Sequence, residues 1–263
     1  MLSFVLGLSA LAFTTTLVAP EPLHAAAQVQ PLNVTTVKKT GRTQFFAKKP
    51  WQGLFSAKKF TNRDRFELLN IKQTLQASLV ELPTKHTAAL KKLEVRKQDH
   101  VSRGLANSRM IILNTESVSS NIELQAVFVH ELGHVVDLGA LKSKGWQKSR
   151  FWTPGTKVFV GDPSIRFYEL SWVNSKQRKT NVRRTDFVSG YAMTSPFEDF
   201  AESYLFYRLH GEKFRQIATE SKILQVKYDF MKTQVFENQE FQTEKQSAGF
   251  LHNLIWDATL VSF

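Results

Sequence analysis

The chain of 263 residues contains no cysteine. That absence excludes cysteine-ligated zinc fingers, iron–sulfur clusters, thiol nucleophiles and disulfide-stapled folds. Catalysis, if there is any, must run on His, Asp, Glu, Ser, Tyr or Lys. Acid is missing over one long stretch, with no Asp or Glu from Pro22 to Arg63. Internal repeats and low-complexity tracts are also lacking, which excludes a solenoid or an array. What is present points to a protein with a core. Hydrophobic residues make up 42% and charged residues 22%, which suits one large domain or two small ones and is too apolar for a disordered chain. Bases outnumber acids 35 to 23, a formal net charge of +12. That balance favours polyanionic neighbours such as nucleic acid, anionic lipid or acidic protein surface, and it does not bear on the fold.

Leu2 to Val18 is an apolar run without a charge, followed by Ala25-Ala26-Ala27. An apolar core with small residues behind it reads as a signal peptide over residues 1–27, and hence as a secreted or periplasmic protein. The competing reading is an uncleaved membrane anchor, but the run sits at the short edge of the roughly 17–25 residues that a span needs. Thr14-Thr15-Thr16 and Pro20-Glu21-Pro22 weaken that alternative further. No Lys or Arg precedes the run, which departs from the usual signal pattern. Residues 28–60 form a basic N-terminal arm in which Phe45, Phe46, Trp51, Phe55 and Phe60 are interleaved with lysines. Such an arm can hold an anionic partner by pairing and stacking. It can also anchor itself by its aromatics while the lysines stay solvated, the reading favoured here because no nucleic-acid-binding signature accompanies it.

A helix is expected from Asn62 to Leu82, stopped by Pro83. Arg109-Met110-Ile111-Ile112-Leu113 has the branched apolar character of a strand, expected to lie at a sheet edge where an extended peptide could pair with it. Ser120 and Glu123 have the spacing of a capping box opening a helix that ends near Gly139. Ala126-Val127-Phe128-Val129 makes that helix apolar nearly all round, hence buried. Residues 140–190 read as irregular. Ser195-Pro196 opens a further helix running to Gly211, and a third helical stretch is expected over Gln216–Gln234. One α+β domain over residues 61–263 is the simplest organisation.

The buried helix carries His130-Glu131-Leu132-Gly133-His134. Two histidines four apart project from one helix face with about 6 Å between their roots, a spacing that suits two imidazole ligands on one Zn²⁺. Glu131, one position from the first histidine, can reach a water activated by the metal and serve as general base. Catalytic zinc needs a third protein ligand. A metzincin would place a histidine at position 140, which is Ala140 here. Asp137 lies on nearly the same face and is read as a residue that bonds a ligand or a neighbour, or as an ordinary polar residue at a helix end. In Glu198-Asp199-Phe200-Ala201-Glu202, Glu198 and Glu202 share a helix face. Glu198 could be the third ligand, with Glu202 holding a histidine by its free N–H, but Ser195-x-x-Glu198 is also a capping box. Tyr191 could donate to the oxyanion of a tetrahedral intermediate, or be a plain loop residue.

These two segments, with Gly190-Tyr191-Ala192-Met193-Thr194 leading into the second, resemble the catalytic domain of anthrax lethal factor and its relatives, including the Pro-Pro endopeptidases. The resemblance covers roughly residues 105–235 and is specific only at the two helices. It implies a zincin-like metallopeptidase domain of the gluzincin type, with a buried HExxH helix and a small sheet. By the same resemblance His130, His134 and Glu198 are the metal ligands, Glu131 the base and Tyr191 the oxyanion donor. The expectation is a zinc-dependent endopeptidase acting on a protein or peptide substrate. The alternative is a module that binds zinc without cleaving, or a basic module that binds an envelope or nucleic acid.

Overall fold

Chain order explains most of the architecture of the computed structural model, which describes residues 54–153, 155–241, 243 and 255–261. All of these belong to one unit, Phe46–Phe263. The expected signal peptide and most of the basic arm lie outside the described residues. β1 (Phe55–Lys58) leads through a short 3-10 turn into α1 (Arg65–Val80), and α2 (Thr84–Ala89) follows Pro83. β2 (Lys92–Arg96), β3 (Gly104–Ala106) and β4 (Met110–Asn114) complete a four-stranded sheet of order β1-β2-β4-β3. β1, β2 and β4 are parallel and β3 is antiparallel to β4. Phe55–Lys58, assigned from sequence to the arm, therefore belongs to the sheet of the domain.

The strand expected over Arg109–Leu113 exists but is not an edge. β4 lies between β2 and β3, and Ile111 and Leu113 are fully buried. A buried strand reads as a continuous branched run, which is why the segment looks as it does. The edge strands are β1 and the short β3. Asn107 closes the β3–β4 turn, its Oδ1 accepting the backbone N–H groups of Arg109 and Met110 at 2.9 and 3.0 Å.

α3 (Asn121–Val135) is capped as expected by Ser120, whose Oγ accepts the Glu123 N–H at 3.1 Å. The Glu123 carboxylate returns to the Ser119 N–H at 2.7 Å instead of to Ser120, so the reciprocal half of the box closes one residue earlier. Ten of the fifteen residues of α3 are buried, and a π turn carries the chain on through Val136–Ala140.

The stretch 140–190, read as irregular, holds a hairpin of β5 (Lys148–Thr153) and β6 (Thr156–Phe159), then α4 (Ser164–Ser171), then a hairpin of β7 (Trp172–Asn174) and β8 (Gln177–Arg178). These strands are short and their pairing is irregular, so they leave little period-2 signal. α5 (Pro196–Leu209) starts at the Ser195 cap and buries twelve of its fourteen residues. The single helix expected over Gln216–Gln234 is two: α6 (Gly211–Ala218) and α7 (Lys222–Phe230), the latter capped by Ser221 and extended by a π turn.

α3 and α5 cross at the centre of the molecule. A β-carbon on Gly133 would lie 2.9 Å from Ala201 Cα and 3.2 Å from Tyr204 Cβ, so glycine sets the depth of the crossing. The protein is thus α+β, with two buried helices packed beside a small mixed sheet. No helix among the described residues is long and apolar enough to cross a membrane.

Candidate metal centre

Four charged side chains from the α3–α5 crossing meet on one wall of a cleft of about 690 Å³. His130 and His134 project from α3, and Glu198 comes from the first turn of α5. The capping reading of Glu198 holds for its backbone only. Ser195 Oγ accepts the Glu198 N–H at 3.1 Å, while the Glu198 carboxylate turns toward the histidines. Its Oε2 lies 3.1 Å from His130 Nε2 and 3.3 Å from His134 Nε2. One donor atom from each of the three residues falls within 4.8 Å of the others, a set that could hold a metal ion. Two imidazole nitrogens and one carboxylate oxygen facing an open cleft fit a tetrahedral divalent ion with one free position.

Glu202, one turn further along α5, is completely buried. Its Oε1 accepts from His130 Nδ1 at 2.7 Å, and its Oε2 accepts from Ser189 Oγ at 2.6 Å and from the Ala258 N–H at 2.8 Å. A carboxylate accepting at Nδ1 puts the imidazole proton there and leaves the Nε2 lone pair aimed at the shared site. Glu202 therefore orients His130, as its spacing from Glu198 suggested.

Glu131 lines the same cleft, and Gly104 of β3 lies directly against it. A β-carbon on Gly104 would overlap the Glu131 carboxylate. Tyr191 also lines the cleft, its ring centroid 5.9 Å from that of His130. Asp137 does not bond a ring nitrogen. Its partner is the neighbour Tyr168, whose hydroxyl lies 2.6 and 2.5 Å from the two carboxylate oxygens. Of the two alternatives the sequence left open, a bond to a ligand or to a neighbour, the structure has the second.

Burial disfavours charge on His130, His134, Glu198, Glu131 and Tyr191, and their mutual charges decide the balance. For His130 burial is outweighed by Glu198 and Glu202, which lift it well above the ordinary histidine value. For His134 burial is again outweighed, chiefly by Glu198. Glu198 is pushed up by burial, yet His134 and His130 hold it far below the usual carboxylate range. Burial raises Glu131, with the two histidines only partly offsetting it. Tyr191 is raised by burial and further by Glu198 and Glu131, so its hydroxyl stays protonated and available as a donor.

Two supports had no sequence signal. Residues 255–261 form a strap along the site: Ile255 and Trp256 accept the N–H groups of Gly190 and Tyr191 at 2.8 and 2.6 Å, next to the Ala258 bond to Glu202. Arg103 locks the strap to α3 and the sheet by pairing with Asp257, with Glu123 at 2.9 Å and with Thr259 at 2.8 Å. On α5, the neighbour of Glu198 is held from below. Lys227 Nζ meets both Asp199 oxygens at 2.9 and 2.7 Å, and Trp172 Nε1 donates to Asp199 at 2.9 Å, all completely buried or nearly so.

The free edge of β3 borders the cleft. The Asn107 N–H bonds the Met110 carbonyl at 3.0 Å and the Asn114 N–H bonds the Arg103 carbonyl at 2.9 Å. By antiparallel alternation, the backbone groups of Gly104 and Ala106 then face away from β4 and toward the open edge. The Gly104 carbonyl accepts from Ser102 Oγ at 2.5 Å.

Comparison of the chain with protein-family models, with curated proteins and with solved structures returns no match.

Proposed function

We propose that this protein is a secreted or periplasmic zinc-dependent endopeptidase with a zincin-like domain of the gluzincin type, akin to the lethal-factor and Pro-Pro endopeptidase group. The observation that carries the reading is the meeting of His130, His134 and Glu198 donor atoms within 4.8 Å, with Glu131 one residue from the first of them on the wall of the same cleft. Bound zinc supplies Lewis acidity toward water and toward a peptide carbonyl.

Glu131 accepts the proton released as a water oxygen adds to the carbonyl carbon, and returns it to the amide nitrogen as the C–N bond breaks. Tyr191 donates to the oxyanion that develops at the former carbonyl oxygen. His130 is held in one tautomer by Glu202, so it does not need to reorganise during turnover. An extended peptide lies along β3, where the Ala106 N–H and carbonyl pair with it as an added strand.

The test is metal analysis with proteolysis on purified protein. Wild type is expected to carry one zinc per chain and Glu198→Ala far less. Glu131→Gln should keep its zinc and lose about 10²–10⁴-fold in peptide hydrolysis. Wild type without zinc under metal-replete conditions overturns the reading, as does hydrolysis that survives Glu131→Gln.

A further inference from the structure

We propose that the cleft takes acidic peptide segments, selected by Lys176 on its wall; this rests on the peptidase reading above. Two stretches supply Leu138, Trp152, Ser175 and Lys176 to the cleft lining, residues 138–161 with the β5–β6 hairpin and residues 172–185 with the β7–β8 hairpin. Together they carry ten of the 35 bases of the chain and none of its 23 acids. Of these ten bases Lys176 lines the cleft, which also holds the carboxylates Glu131 and Glu198. A cation fixed at a cleft wall draws in ligand groups of the opposite sign.

A basic run on an exposed surface is most often only a solvated face. Two contacts separate this one from that case. The Trp152 N–H donates to Ser175 Oγ at 2.5 Å, clasping one hairpin to the other. Lys176 Nζ lies 5.5 Å from the Trp152 ring centroid, and both side chains line the cleft. Stacking over the indole holds the ammonium at the cleft wall without neutralising it. Lys176 has no ion-pair partner among the described residues, in contrast to Arg150, which pairs with Glu169 at 2.8 Å. Arg103, too, is taken by Glu123 and Asp257. A substrate carboxylate that reaches Lys176 in the cleft therefore meets an uncommitted cation, while a substrate lysine there meets repulsion. Trp152 adds an apolar face for the stem of the same residue.

The experiment passes a random peptide library over immobilised zinc-loaded Glu131→Gln and sequences what is retained. Asp and Glu are expected to be enriched about fivefold on one side of the bound segment, as one partly exposed ion pair provides, with the enrichment shrinking at high salt. In Glu131→Gln/Lys176→Glu the enrichment should vanish or turn to Lys and Arg. Retained peptides no more acidic than the input, or an acid preference unmoved by Lys176→Glu, overturn the proposal and leave the peptidase reading standing. If no peptide is retained and wild type cleaves none, the peptidase reading fails and the proposal falls with it.

Discussion

Gly104 lacks a side chain where Glu131 needs the space, since a β-carbon there would overlap the Glu131 carboxylate. The overlapped atoms are the end of a flexible side chain, so Gly104→Ala should fold with a stability change within about 1 kcal/mol. On the proposed function its cost should fall on hydrolysis, by about tenfold or more, because Glu131 as general base would lose its aim when displaced by an ångström. Steady-state kinetics beside a urea titration checks the split. Asp137 offers a test through pH. It is completely buried in contact with Tyr168, and burial raises its carboxyl to about 7 despite the hydrogen bonds from Ser164 and Tyr168. A carboxyl raised in the folded state contributes stability that is fully present below its unfolded value, near 3.8, and lost as pH rises through the folded value. The stability of wild type relative to Asp137→Asn should thus fall from pH 4 to pH 7 and level off above it. A flat difference in thermal denaturation across that range would contradict the assignment.

At the scale of elements, the position of α5 rests on one buried ion pair. Lys227 reaches Asp199 from α7, with its ammonium 3.9 Å from the Phe187 ring centroid, and a further bond runs to the Asp186 carbonyl at 2.8 Å. Removing one partner leaves a buried charge uncompensated, so Lys227→Met should cost about 3–5 kcal/mol in a denaturant titration. Adding Asp199→Asn should restore most of it, because a neutral amide keeps the Trp172 bond without the charge. If the single and double variants are equally unstable, the pair is not what seats α5. The two central helices were legible in sequence for related reasons. Each opens on a Ser cap, each is apolar on more than one face, and each carries titratable residues at helical spacing. The β7–β8 and β5–β6 hairpins were not legible, since two to six residues with irregular register leave no periodic pattern.

Across the whole molecule, the parts of the site legible in sequence are those that act through local spacing. His130 and His134 share a helix turn, and Glu198 and Glu202 share another. The parts that were not legible act across distance: Arg103 and Asp257 are 154 positions apart, and Ala258 bonds a glutamate 56 positions earlier. No single-chain pattern announces such pairs. Asp257 ties the strap down, both to Arg103 and by accepting the Thr259 N–H at 2.9 Å. Asp257→Ala should therefore loosen the strap and weaken zinc about tenfold through Glu202, in the range that supports behind a ligand usually contribute. Chelator competition gives the affinity, and amide exchange at Ala258 reports whether the strap has come loose.

The same strap imposes an order of events on biosynthesis. The ribosome delivers His130 and His134 long before Ala258, so a nascent chain that has passed Glu202 but not reached Ala258 carries its histidines while Glu202 lacks one of its three bonds. A chain interrupted before the strap is made would hold His130, His134 and Glu202 but not the bond from Ala258 that completes their arrangement. Completion of the site is in this way timed by translation, with residues far from the motif acting as the last part fitted.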